Sequence, residues 1–199
     1  MSDEAVTRTV PTPIRGPLGA ATASARRRVL WISGACALAL WLFLAIQDRE
    51  ISDTAGPGIV PFEVAGTQEH AQDILDDWGQ EGRDAARVSL IADYPYLVAY
   101  SIFLAVGCTV ASGRLARRGM NLLASIGPAL GWAQFVAGAC DAIEDAALLR
   151  VVDGHTATYP EIAFVAAVVK FTLAGLGLAY VIFGAVMGRG AKPEAEPAQ

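Results

Sequence analysis

In the apolar stretch 122–149, Gly127, Gly131, Gln134, Gly138, Asp141, Asp145 and Leu148 recur at intervals of four and three residues. On a helix of 3.6 residues per turn they stay within about 60° of one another, so one face carries small residues, an amide and two carboxylates. The stretch 162–187 repeats the spacing with Ala163, Ala167, Lys170, Ala174, Gly177, Val181 and Gly184, followed by Gly188. Asp93, Tyr96, Tyr100 and Gly107 give the stretch 88–111 a third polar face, with Pro95 near its end. Carboxylates that share a face with a lysine can form an ion pair, share a proton or hold a hard cation. Glu144 is turned about 60° from Asp141 and about 100° from Asp145 around the same helix, so it is the outlying member of the cluster, with the membrane interface or Arg150 as its alternative partners.

These residues lie deep. Asp141 precedes Arg150 by nine residues, about 13.5 Å, and Lys170 follows Pro160 by ten, about 15 Å. An isolated charge at such a depth in a bilayer costs at least about 2.5–3.5 kcal/mol, so the matched depths predict a Lys170–Asp141 ion pair. Three readings of the cluster compete. It glues helices together, it forms a pocket for a cation, a proton or a small polar ligand, or Asp93, Asp141, Glu144 and Asp145 hold a catalytic divalent metal. Lys170 would repel a metal, so no metal and no cofactor is expected, with Asp93, Asp141 and Asp145 as the candidates should one bind.

The elements that would position the cluster follow from composition. The chain has 199 residues, of which 54% are apolar and 18% charged; its 20 glycines bring the apolar share to about 64%. A soluble enzyme has roughly 45–50% apolar and about 25% charged residues, so this mix belongs to packed membrane helices. Cys36, Cys108 and Cys140 show no C-x-x-C spacing, and three buried thiols are expected; His70 and His155 leave little for histidine-based chemistry. The acidic net charge of -5 gives no footprint for nucleic acid.

Four spans are predicted, at about 29–46, 88–111, 122–149 and 162–187, each long enough for a hydrocarbon layer of about 30 Å. Ten of the fifteen Lys and Arg residues fall on one side: Arg8, Arg15, Arg26, Arg27 and Arg28, then Arg114, Arg117 and Arg118, then Arg189 and Lys192. Basic residues in short loops stay in the cytoplasm, so both termini are expected there. The run after Arg28 also resembles a cleavable signal, but it is too long for an h-region and no small-x-small site follows Leu44. Residues 1–28 and 188–199 read as a disordered cytoplasmic arm and tail. In the outer loop 47–87, Ala71, Ile74, Leu75 and Trp78 recur at helical spacing after Thr67 as N-cap. They predict a short acidic amphipathic helix, broken by Gly79 and Gly82, that either packs over the bundle's outer mouth as a lid or plug or is a solvated connector that caps the helices.

The string Pro61-Phe62-Glu63-Val64-Ala65-Gly66-Thr67, with Ile74-Leu75, Trp78-Gly79, Ser89-Leu90 and Asp93-Tyr94, resembles a family of small four-span bacterial membrane proteins that are themselves uncharacterised. Asp141-Ala142-Ile143-Glu144-Asp145 through Leu149 and Val169-Lys170-Phe171 are similar to that family's later spans. The likeness covers about 30–187 and implies a four-helix integral membrane protein, without an activity or an assigned site. The paired cysteines of quinone-linked thiol oxidoreductases with a similar span count are missing, which sets that family aside.

The expectation is therefore an all-α four-helix transmembrane bundle in the bacterial inner (plasma) membrane. Its candidate cluster is Asp93, Tyr96, Tyr100, Gln134, Asp141, Glu144, Asp145 and Lys170. The role expected is non-enzymatic, binding a small cation, proton or polar ligand or assisting a membrane partner. The alternative is a membrane enzyme acting on a lipid-borne substrate. The bilayer is the expected partner, with a second copy or another membrane protein left open.

Overall fold

The computed structural model describes residues 15–54 and 56–188. They form five helices, α1 (Ala23–Thr54), α2 (Ile59–Glu63), α3 (Gln68–Ala116), α4 (Asn121–Val152) and α5 (Tyr159–Met187), and no strand is found among them. α1, α3, α4 and α5 are each long and apolar enough to cross a membrane. Large apolar side chains such as Trp31, Ile32, Val165 and Ile182 stand outward on these helices, a surface that hydrocarbon accepts and water does not.

The helices outrun the apolar stretches at both ends, save at the end of α5 at Met187, because polar residues continue a helix beyond the apolar part that hydropathy marks. Two short links join α3 to α4 and α4 to α5. In each, a glycine with positive φ, Gly119 (75°) or Gly154 (91°), follows the helix end. Met120 N–H donates to Leu115 O and His155 N–H to Arg150 O, the 6→1 bonds that close a Schellman turn.

α3, α4 and α5 pack against one another in all three pairings, whereas α1 packs on α3 and leaves α5 largely uncovered. The arrangement is thus a three-helix core with a peripheral fourth helix. Its close approaches use the small-residue faces: a Cβ added at Gly184 would stand 2.9 Å from Ala111 Cα, so α5 lies backbone-to-backbone on α3 there.

The stretch before the second apolar run is continuous with it in α3. Thr67 Oγ1 accepts the His70 N–H at 3.2 Å and caps the helix. Gly79 leaves helical geometry for one residue (φ 57°, ψ −156°), but Gly82, expected to break the helix as well, is helical and buried. With Gly79 already taking up the bend, Gly82 serves packing. Ala71, Ile74, Leu75 and Trp78 are buried in a cluster with Ile51 of α1, Phe62 of α2, and Leu148, Val151 and Val152 of α4.

α2 has no counterpart in the sequence reading. Asp48 Oδ1 of α1 accepts the Ile59 N–H at 2.5 Å, and Trp78 Nε1 donates to Pro57 O at 2.5 Å, so both neighbouring helices hold it. The Phe62 and Trp78 rings lie 4.7 Å apart.

The expected disordered arm needs correction where it is described. Residues 1–14, with Arg8, and the tail from 189, with Arg189 and Lys192, lie outside the described residues. From Arg15 onward the chain is packed: Gly16 and Pro17 are buried, Trp132 Nε1 donates to Arg15 O at 3.0 Å and Thr109 Oγ1 to Pro17 O at 3.0 Å. Polar side chains of α3 and α4 bind this segment's carbonyls, a tertiary effect invisible to composition. Thr22 Oγ1 then accepts the Ala25 N–H and starts α1. The expectation of three buried thiols fails for Cys36, which is exposed because α1 is peripheral; Cys108 is buried and Cys140 half-buried.

Candidate functional site

Lys170 organises the cluster. Its Nζ stands 2.7 Å from Asp141 Oδ1, 2.9 Å from Glu144 Oε2 and 3.6 Å from Glu63 Oε2. The two residues of matched depth therefore meet, across α4 and α5, at a distance typical of a charge-assisted hydrogen bond. The ammonium also lies 4.7 Å from the centroid of the Phe171 ring. Helical spacing explains the assembly: Asp141 and Glu144 sit three residues apart on α4, one on each side of the point where the long Lys170 stem arrives.

Glu144, the outlying member of the expected cluster, does join it: it is fully buried against Lys170 and not at the alternative places, the interface or Arg150. Its offset from the stripe is small compared with the reach of a lysine, and a buried carboxylate next to an ammonium is far better placed than one left alone.

Asp145 and Asp93 extend the cluster away from Lys170. One carboxylate oxygen from each of Asp93, Asp141 and Asp145 can be chosen so that all three lie within 4.8 Å of one another. Tyr96 and Tyr100 line the same cavity, their rings tilted by 48° with centroids 5.2 Å apart. The Tyr100 hydroxyl and Asp145 Oδ2 are buried and have no hydrogen-bond partner among the described residues. Such atoms cost about 1–3 kcal/mol each when nothing satisfies them.

Gln134 does not join. It lies two turns, about 10.5 Å, along α4 from Asp141. Its Nε2 donates to Leu130 O at 3.1 Å and to Leu173 O at 3.0 Å, and its amide fills the space over Gly177. The stripe that groups it with the carboxylates runs the whole length of α4, so sharing a face does not mean sharing a site. Gln134 instead ties α4 to the backbone of α5.

Glu63 is a member that the spacing of residues does not reveal. It ends α2 and reaches Lys170 from outside the long helices. Burial pushes its carboxyl above the ordinary value; Lys170 draws it back down and Asp141 raises it further. The sequence carries one hint, since Glu63 lies in the string that carries the family resemblance, but no periodicity points to it.

Glu63, Asp93, Asp141, Asp145 and Lys170 line one end of an open cavity of about 1210 Å³, whose remaining walls come mostly from apolar residues of α1, α3 and α5. The described residues thus form an all-helical bundle with four helices long and apolar enough to cross a membrane, and with a buried carboxyl-lysine cluster at the end of an open, mostly apolar cleft. Comparison with known protein families, with curated proteins and with solved structures returns no match.

Proposed function

We propose that this chain is an integral protein of the bacterial plasma membrane that binds a small cation, in competition with protons, at the cluster around Asp93, Asp141 and Asp145, without catalysing a reaction. One observation carries the reading: five carboxyls, Glu63, Asp93, Asp141, Glu144 and Asp145, share one cluster with Lys170, which pairs with three of them and is the one basic side chain found paired with any of them among the described residues. Glue between helices needs one acid for one lysine. Carboxyls this crowded require a proton or a cation to balance them.

The proposed orientation has both termini in the cytoplasm and the cluster in the outer half, with α2 and the start of α3 over its outer mouth. Arg26, Arg27 and Arg28 at the start of α1 and Arg114, Arg117 and Arg118 at the end of α3 support it. Cysteine labelling tests this: Ala116→Cys should react only from the cytoplasmic side, while Asp76→Cys and Asp153→Cys should react from outside intact cells. Labelling of position 116 from outside would reverse the orientation. We include membership of the uncharacterised four-span family in the proposal on the strength of the shared strings alone.

Binding is tested by infrared titration of the carboxylate stretch in purified protein. Na⁺, Mg²⁺ or Ca²⁺ should shift the wild-type signal and leave Asp145→Asn much less affected. Should no cation move the signal and every carboxyl titrate near pH 4, as free side chains do, the cluster is structural.

A membrane enzyme acting on a lipid-borne substrate is the second reading. The three-carboxylate geometry favours it, because hard oxygen donors within 4.8 Å suit a divalent ion at the head of a lipid-facing cleft. Lys170, 2.7 Å from Asp141, opposes it. Turnover that depends strictly on a divalent ion would decide for it.

A further inference from the structure

The charged cluster is only one end of its cavity. Because α1 packs on α3 and hardly touches α5, a cleft opens between α1 and α5 with α3 as its floor. Away from the cluster its walls are Trp31, Leu38 and Trp41 of α1, Phe103 of α3, and Phe171 and Leu178 of α5. Along α1 the lining runs from Asp48 to Leu30, about 27 Å, and along α5 it continues past Lys170 to Leu178, about 12 Å. Gly175 lies on this wall, and a Cβ there would meet nothing within 4 Å, so the cleft is open beside it.

A narrow apolar trough that ends in carboxylates has the polarity of an amphiphile with a cationic head. We propose that the cavity binds a single-chain amphiphile bearing a primary ammonium group, its chain along the α1–α5 cleft and its head among Asp93, Asp145 and Tyr100. This inference rests on the cation-binding reading and names the class of cation.

Three features select that head. Asp145 Oδ2 and the Tyr100 hydroxyl are buried acceptors without a partner among the described residues, and a primary ammonium brings three N–H donors whereas a quaternary one brings none. Tyr96 and Tyr100, which line the cavity with the carboxylates, are aromatic rings of the kind whose faces attract a cation. Asp48 and Glu63 stand at the α2 end of the same cavity, so the phosphodiester of an ordinary phospholipid would meet like charge there. Lys170 is already engaged by Asp141 and Glu144, which leaves Asp93 and Asp145 for the ligand.

The test is thermal unfolding of the full chain in maltoside micelles with four probes: tetradecylamine, tetradecanol, tetradecyltrimethylammonium and ethylammonium. Tetradecylamine should raise the unfolding midpoint at concentrations at least about tenfold below those needed of the other three, the factor expected from losing one charge-assisted contact or the chain. Gly175→Trp, which fills the cleft without touching the cluster, should abolish the tetradecylamine response and keep the response to ethylammonium and metal cations. Leu38→Trp, from the opposite wall, should do the same and serves if the first variant folds poorly. Gly175→Ala should bind as wild type.

If tetradecanol binds as well as the amine, or both tryptophan variants bind the amine undiminished, the amphiphile proposal is overturned and the cation site stands. If the wild type responds to no small cation at all, the underlying reading fails.

Discussion

Lys170→Met is expected to destabilise the protein by about 3–5 kcal/mol, the scale for stripping the partner from a buried charge. The reason is the number of carboxyls it would strand: Asp141 and Glu144, with side chains 2% and 0% exposed, and Glu63 at 13%. Adding Asp141→Leu should restore only part of the loss, because Glu144 remains buried without its ammonium. The triple variant with Glu144→Gln should restore most of it, since Glu63 lies nearest to water. Reversible unfolding in detergent, read at neutral pH and again below the ordinary carboxyl range, checks this. The single variant's penalty should shrink in acid, where protonation removes the stranded charges. Losses that simply add across the single, double and triple variants would show that Lys170 does not couple to these acids.

The same residues mark where the sequence is legible. Asp141 and Lys170 can be paired from spacing alone because both sit on long, uninterrupted helices, where 1.5 Å per residue converts position into depth and 100° per residue into direction. Four long apolar helices are legible on the same ground. Glu144 is read only as an outlying member, because direction around α4 is compared with the stripe alone, whereas its partner approaches on a flexible four-carbon stem. Gln134 falls into the expected cluster because periodicity fixes a face and says nothing of where along it a site ends.

Glu63 lies beyond this kind of reading altogether. It is carried by a five-residue helix with Pro61 inside it, too short to show a period, and it is brought to Lys170 by tertiary contacts: Asp48 from α1, Trp78 from α3. The peripheral setting of α1, which creates the cleft, is equally hidden, since hydropathy ranks a helix's fitness for lipid and not its choice of neighbours. The packing of residues 15–22 depends on Trp132 and Thr109, about a hundred residues away in the chain.

Phe62→Ala is expected to be the costliest substitution in the layer around α2, because Phe62 is 1% exposed and packs on Trp78 in the cluster that joins α2 to α3 and α4. Truncating a buried phenylalanine costs about 3–5 kcal/mol. Here the loss should be local, freeing the five-residue α2 while α3, α4 and α5 stay packed. Amide exchange over 57–66 should accelerate, with the long helices little changed. The same change has a signature in pH. Burial raises the Glu63 carboxyl above its ordinary value of 4.5, so the folded protein holds that proton more readily than the unfolded chain does. The stability this contributes is fully present below 4.5 and is lost as the pH rises through the raised value. The stability difference between wild type and Glu63→Gln should therefore vary over that window. In the Phe62→Ala background, with Glu63 released to water, the same difference should be flat. A slope that survives Phe62→Ala would mean that Lys170, and not the seat of Phe62, holds Glu63 in place.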